Sequence, residues 1–96
     1  MPRLSYASLP EIKAAIKDHK EIRFQIKGAV YEVEPICLDS APRTHAIELI
    51  GYVNVSPDDG QNGWRKFCFS MMRGMERTGR TFLERRPVGF RLARVG

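Results

Sequence analysis

The chain has 96 residues, 43% hydrophobic and 28% charged, a composition that suits one small globular domain able to bury a core without metal or disulfide staples. No apolar run approaches the roughly 20 residues of a membrane-spanning helix, and the first residues lack an apolar h-region and a small-residue cleavage signal, so no secretory peptide is expected and the cytoplasm is the default compartment. The formal charge of +5 is uneven: up to Trp64 seven Lys and Arg meet nine Asp and Glu, whereas from Arg65 onward nine basic residues meet only Glu76 and Glu84.

Ser8 and Glu11 fit a Ser-x-x-Glu capping box, with Pro10 tolerated in the first turn. Leu9, Ile12, Ala15 and Ile16 then recur at helical spacing against Lys13, Lys17, Asp18 and Lys20, which predicts a short helix with one apolar stripe. His19, near its end, reads as a surface residue that complements the helix dipole. From Glu21 the period falls to two. Ile22, Phe24 and Ile26 alternate with Arg23, Gln25 and Lys27, Gly28 supplies a tight turn, and Tyr31 and Val33 alternate with Glu32 and Glu34 up to Pro35, so the segment reads as a hairpin. Glu32 and Glu34 are expected to be solvated neighbours on one strand face, not an acid/base pair.

Asp39 to Arg43 read as a loop and His45 to Val55 as a long strand, whose apolar residues on both faces mark it as central. A segment dense in turn formers, Ser56 to Gly63, leads to a strand from Trp64, with Arg65, Phe67 and Phe69 on one side and Trp64, Lys66 and Cys68 on the other. Asp58 and Asp59 beside Gly60 lack the spaced oxygen ligands of a calcium loop. Met71, Met72 and Met75 around Gly74 fit a short helix or a bulged strand, of which the strand is preferred, and Thr78-Gly79-Arg80 reads as a turn. After Arg85-Arg86-Pro87, Val88, Phe90 and Leu92 alternate once more. Cys37 and Cys68 lie in apolar segments without a CxxC pair and are expected to be buried thiols; with His19 and His45 they offer too few closely spaced ligands for zinc, so neither metal nor cofactor is expected.

Laid out in this way, the chain resembles a WYL domain, a small module found mostly in bacterial regulators. The similarity runs from about Leu9 to Pro87. It comprises the helix and basic strand IKAAIKDHKEIRFQIKG, the tripeptide Val33-Glu34-Pro35, the segment Leu49-Ile50-Gly51-Tyr52, and a last block from Arg65-Lys66-Phe67-Cys68-Phe69-Ser70-Met71-Met72 to Phe82. The tripeptide that names the family is Ile47-Glu48-Leu49 here, and Cys68 and Met71 stand where ligand-facing arginines are usual. The resemblance implies a mainly β fold of the α+β kind, a five-stranded antiparallel barrel of SH3-like or Sm-like form with an N-terminal α-helix. It divides a single domain, 1–96, into an arm (1–8), a core (9–87) and a C-terminal strand or tail (88–96). It also implies a sensor role toward an anionic ligand.

The charge step points to the same chemistry, because a basic last third suits a partner such as nucleic acid, a nucleotide or an acidic protein. The first functional expectation is therefore a non-enzymatic regulatory module that binds an anionic ligand, a nucleotide or single-stranded nucleic acid, through Arg65, Arg73, Arg77, Arg80 and the tail arginines, with Trp64 or Tyr52 as a stacking surface. No helix-turn-helix precedes the domain, so a DNA-linked role would use a partner regulator chain or the barrel itself. The alternative is a structural or interaction module that dimerises through barrel edges, its charge serving solubility. An enzyme is not expected: the sequence suggests no Ser/His/Asp or Cys/His constellation and no phosphate-cradling glycine loop.

Overall fold

The computed structural model describes residues 6–57 and 63–83. Helix α1 (Leu9–Asp18) begins at its capping signal: Ser8 is extended and its hydroxyl oxygen accepts the Glu11 N–H at 3.4 Å, while Pro10 sits in the first turn, where no intrahelical amide bond is lost. It ends at His19, whose left-handed φ of 54° directs its N–H back to the carbonyls of Ala15 and Ile16. His19 is exposed, and its ring meets Phe82 edge to face at 5.5 Å. Ile12 and Ala15 are buried against the sheet.

Five antiparallel strands follow: β1 (Lys20–Ile26), β2 (Ala29–Ser40), β3 (Ile47–Val55), β4 (Gly63–Cys68) and β5 (Arg73–Thr81), in the spatial order β4-β3-β2-β1-β5. The β1–β2 hairpin closes on Lys27 and Gly28, with φ of 52° and 82°, the mirror-image turn whose twist matches that of the flanking strands. β2 is longer than expected, continuing through Asp39 and Ser40, while β3 begins at Ile47 and leaves His45 in the connection. Pro35 lies inside β2, opposite Gly51 of β3 and beyond the ladder with β1, which ends at the Ile22–Val33 pair, and a register shift between Pro35 and Cys37 bends the strand there.

β3 lies between β2 and β4, as its apolar residues on both faces predicted, with Ile50 only 3% exposed. One side of the sheet holds the core: Ile22, Phe24, Tyr31, Val33, Leu49, Val53 and Phe67 pack with Ile12 and Ala15 of α1 and with Ala7 and Met72. Phe24, Tyr31 and Phe67 meet with ring centroids 5.0–5.9 Å apart, a spacing that suits edge-on and offset aromatic contacts.

Two expectations about the last third change. Phe69–Met71 forms a 3₁₀ turn between β4 and β5, so the strand from Trp64 stops at Cys68 and Met71 stays outside the ladders. Thr78-Gly79-Arg80 is not a chain reversal but part of β5. Against Lys20 and Ile22 of β1, β5 offers Thr81 and Arg77, and the extra length is taken up in a bulge around Gly79, whose φ is 95°. The turn chemistry is present locally, since the Arg80 N–H donates to the Thr78 hydroxyl at 3.2 Å, but pairing with β1 keeps the strand running. β4 and β5 end the strand order, joined through the 3₁₀ turn with no ladder between them among the described residues, so the sheet is not a closed barrel. The arm before α1 docks beside this turn: the Ala7 N–H donates to the Met72 carbonyl at 3.4 Å, and Tyr6 bridges Arg73. The alternation at Val88, Phe90 and Leu92 and the tail arginines Arg91 and Arg94 lie outside the described residues. No helix among the described residues is long and apolar enough to cross a membrane.

Candidate anion-binding site

Side chains of β1 and β5 form a network of alternating charge. Glu21, 3% exposed, accepts hydrogen bonds from the Thr78 hydroxyl at 2.6 Å, Arg80 Nε at 2.7 Å and the Asn54 amide at 2.7 Å. Asn54 also donates to Glu34 at 3.0 Å, and a second Arg80 nitrogen pairs with Glu32. Arg23 then bridges Glu32 at 3.1 Å and Glu76 at 2.8 Å. Desolvation raises the Glu21 pKa, but the hydrogen bonds from Thr78, Arg80 and Asn54, with the charge of Arg80, together outweigh it and leave the pKa lowered.

Glu32 and Glu34 therefore depart from expectation. Glu34 is 5% exposed and Glu32 is shared by two arginines, because β5 folds alongside β1 and brings Arg80 over both strands. Their local spacing could not reveal this, since the partners lie on distant strands.

The predicted site residues fall into separate places. Arg80 belongs to the network above, and Arg77 faces Asp18 at 3.7 Å. An anion reaching either guanidinium would compete with a carboxylate. Tyr52 and Trp64, cross-strand partners on β3 and β4, meet edge to face at 5.4 Å, at the opposite end of the strand order from β5. The Arg65 guanidinium lies over the rings of Tyr31 and Phe67, at 5.2 and 5.4 Å from their centroids. Arg73 stacks on Tyr6 at 3.8 Å, and one of its nitrogens donates to the carbonyls of Ser70 at 2.7 Å and Met72 at 3.0 Å.

Arg73 opens onto a cavity of about 350 Å³ shared with Gln25, Lys27, Gly28, Ser70 and Met71. The hairpin turn delivers Lys27, the Gln25–Arg73 pairing of β1 and β5 sets the wall, and the 3₁₀ turn adds Ser70. The lining therefore offers an ammonium, a guanidinium, an amide and a hydroxyl, with no carboxylate among the described residues, a donor-rich corner suited to phosphate oxygens. A larger groove of about 520 Å³ between α1 and β5 places Glu11 and Glu76 beside Arg77, so its carboxylates outnumber its one guanidinium. Of this corner, Arg73 is the one site residue that the sequence predicts. Gln25, Lys27 and Ser70 belong to it through pairing and turn geometry, and only the hairpin signal at Gly28 hinted at where Lys27 would stand.

Cys37 and Cys68 are both free and only half-buried, less enclosed than expected; burial, followed by the charge of Asp39, raises the Cys37 pKa. Among the described residues no three His, Cys, Asp or Glu side chains converge to hold a metal ion. Compared with protein-family models, with curated proteins and with solved structures, the chain shows no match in any of the three.

Proposed function

We propose that this protein is a non-enzymatic binding module for an anionic ligand, a nucleotide or single-stranded nucleic acid, and that a phosphate is received at the corner formed by Lys27 and Arg73. The observation that carries this reading is that no carboxylate among the described residues lines that cavity, in a protein whose Arg23, Arg77 and Arg80 are already paired with acidic side chains. Arg73 is held by its two carbonyl acceptors and by the Tyr6 ring, so its guanidinium is positioned before a ligand arrives. Five antiparallel strands with a leading helix are compatible with the fold that the WYL resemblance implies, the sheet being taken as an incompletely closed relative of SH3-like and Sm-like barrels. The alternative, a module that dimerises through sheet edges, draws on the same unclosed sheet.

The test is fluorescence anisotropy with labelled single-stranded DNA and RNA across a salt series, alongside a thermal-shift panel of nucleotides. Lys27 occupies a left-handed position that asparagine tolerates better, so Lys27→Asn is expected to keep or raise stability while weakening binding. Losing one phosphate contact should lower the salt slope by about 0.7 for a single strand. No binding at low salt with either oligonucleotide and no nucleotide-dependent shift would rule the reading out, as would a Lys27→Asn protein that binds as the parent does.

A further inference from the structure

Arg73 joins the donor-rich corner to an aromatic ring. One of its terminal nitrogens is engaged by the Ser70 and Met72 carbonyls, whereas Nε and the other terminal nitrogen, the edge that grips phosphate oxygens two at a time, have no hydrogen-bond partner among the described residues. The flat face of the same guanidinium lies 3.8 Å from the centroid of the Tyr6 ring. The arm holds that ring in place: Tyr6 bridges Arg73 through the backbone, and the next residue, Ala7, is buried and donates its N–H to the Met72 carbonyl at 3.4 Å.

Packing does not account for Tyr6. It is 72% exposed and outside the core cluster, and among the described residues it is the one tyrosine, phenylalanine or tryptophan that is exposed. A guanidinium stacked on a ring at so open a position adds little stability. Held in place by its neighbours yet exposed, the ring has the properties of a platform for a planar group, and it stands against the residue that the corner offers to a phosphate. Met71, exposed and in the cavity lining, adds an apolar surface beside the charges. In a nucleotide only the sugar separates phosphate from base, so one ligand can meet Arg73 with the first and Tyr6 with the second. Tyr52 and Trp64 pack edge to face on each other at the opposite end of the strand order.

We propose that Tyr6 receives the base of the ligand whose phosphate enters the Lys27–Arg73 corner, so that the module recognises a phosphate carrying a nucleobase and not phosphate alone. This rests on the phosphate reading of that corner given above.

The experiment is calorimetric titration of the full chain at low salt with two unlabelled strands of equal length and charge, oligothymidine and an abasic backbone. A second pair, thymidine 5′-monophosphate and deoxyribose 5-phosphate, distinguishes a free nucleotide from a strand as the source of the base. In the pair that binds, the member with a base is expected to bind about fivefold or more tightly, the lower end of what one base stacked on an aromatic side chain contributes. The readout is this ratio, because losing the ring's hold on Arg73 would weaken both members alike and leave the ratio unchanged. Tyr6→Ser, which leaves the core cluster untouched, should bring the ratio to about one, and Tyr6→Phe should preserve it. Equal binding of both members by the parent, a ratio that survives Tyr6→Ser, or its loss in Tyr6→Phe overturns the proposal and leaves the phosphate corner standing. Binding of neither pair overturns both.

Discussion

Glu21 shows how a residue that reads as an ordinary outward-facing strand position becomes a structural centre. It alternates with Ile22 and so points away from the core, yet Thr78, Arg80 and Asn54 enclose it until 3% of its surface remains exposed. Its folded-state pKa is lowered, so the stabilisation it contributes is fully present above the ordinary carboxylate value of 4.5 and is lost as the pH falls through the lower folded value. Glu21→Gln keeps the shape but removes the charge that Arg80 and Thr78 address. A loss of about 1–3 kcal/mol at neutral pH is expected, and in urea titrations repeated across acidic pH the variant should show a shallower fall in stability than the parent. Gly51 makes a different demand. A Cβ there would stand 2.8 Å from the Glu34 carbonyl oxygen and would also collide with Val33, so β2 and β3 would have to separate. Gly51→Ala is expected to cost roughly 1–3 kcal/mol, read as a lower urea midpoint with an unchanged slope.

At the scale of elements, what was legible in the sequence was whatever short-range chemistry determines. Ser8, Pro10 and Glu11 mark the start of α1, Gly28 marks the hairpin, and the two-sided apolarity of β3 marks its central place. The cap is testable by itself: Ser8→Ala should remove about 1 kcal/mol of stability and lower the melting temperature without changing the sheet's circular dichroism. β5 was not legible in the same way. Thr78, Gly79 and Arg80 have the composition and the local hydrogen bond of a turn, and only pairing with β1, more than fifty residues earlier, extends them into a strand. Pro35 misleads in the opposite direction. It resembles a strand end, but the ladder with β1 stops short of it and the strand continues to Ser40. The donor-rich corner was half-visible for the same reason: Arg73 lay in the basic third, whereas Lys27 and Gln25 join it only through the β1–β5 register.

For the whole molecule, the charge step along the chain acquires a second meaning. Arg77 and Arg80 of the basic third meet Asp18, Glu21 and Glu32 of the acidic part, and Glu76 meets Arg23. Part of the segregation is thus complementarity between the last described strand and the first, while Arg65, Lys66 and Arg73 have no ion pair among the described residues. The strand order also predicts a gradient of protection. Amides shared by β1, β2 and β3 should exchange slowest in native-state hydrogen exchange, and those of β4 and β5 sooner, because the inner strands open only when a neighbouring ladder breaks.

The neighbour relation of β1 and β5 has a further consequence during synthesis. β1 emerges early, but the strand that flanks it, and the guanidinium that neutralises Glu21, emerge only with residues 73–81. A nascent chain arrested before Arg73 would hold a carboxylate awaiting its counter-charge beside a half-built sheet, so the final cooperative step must wait until residues 73–81 have left the ribosome.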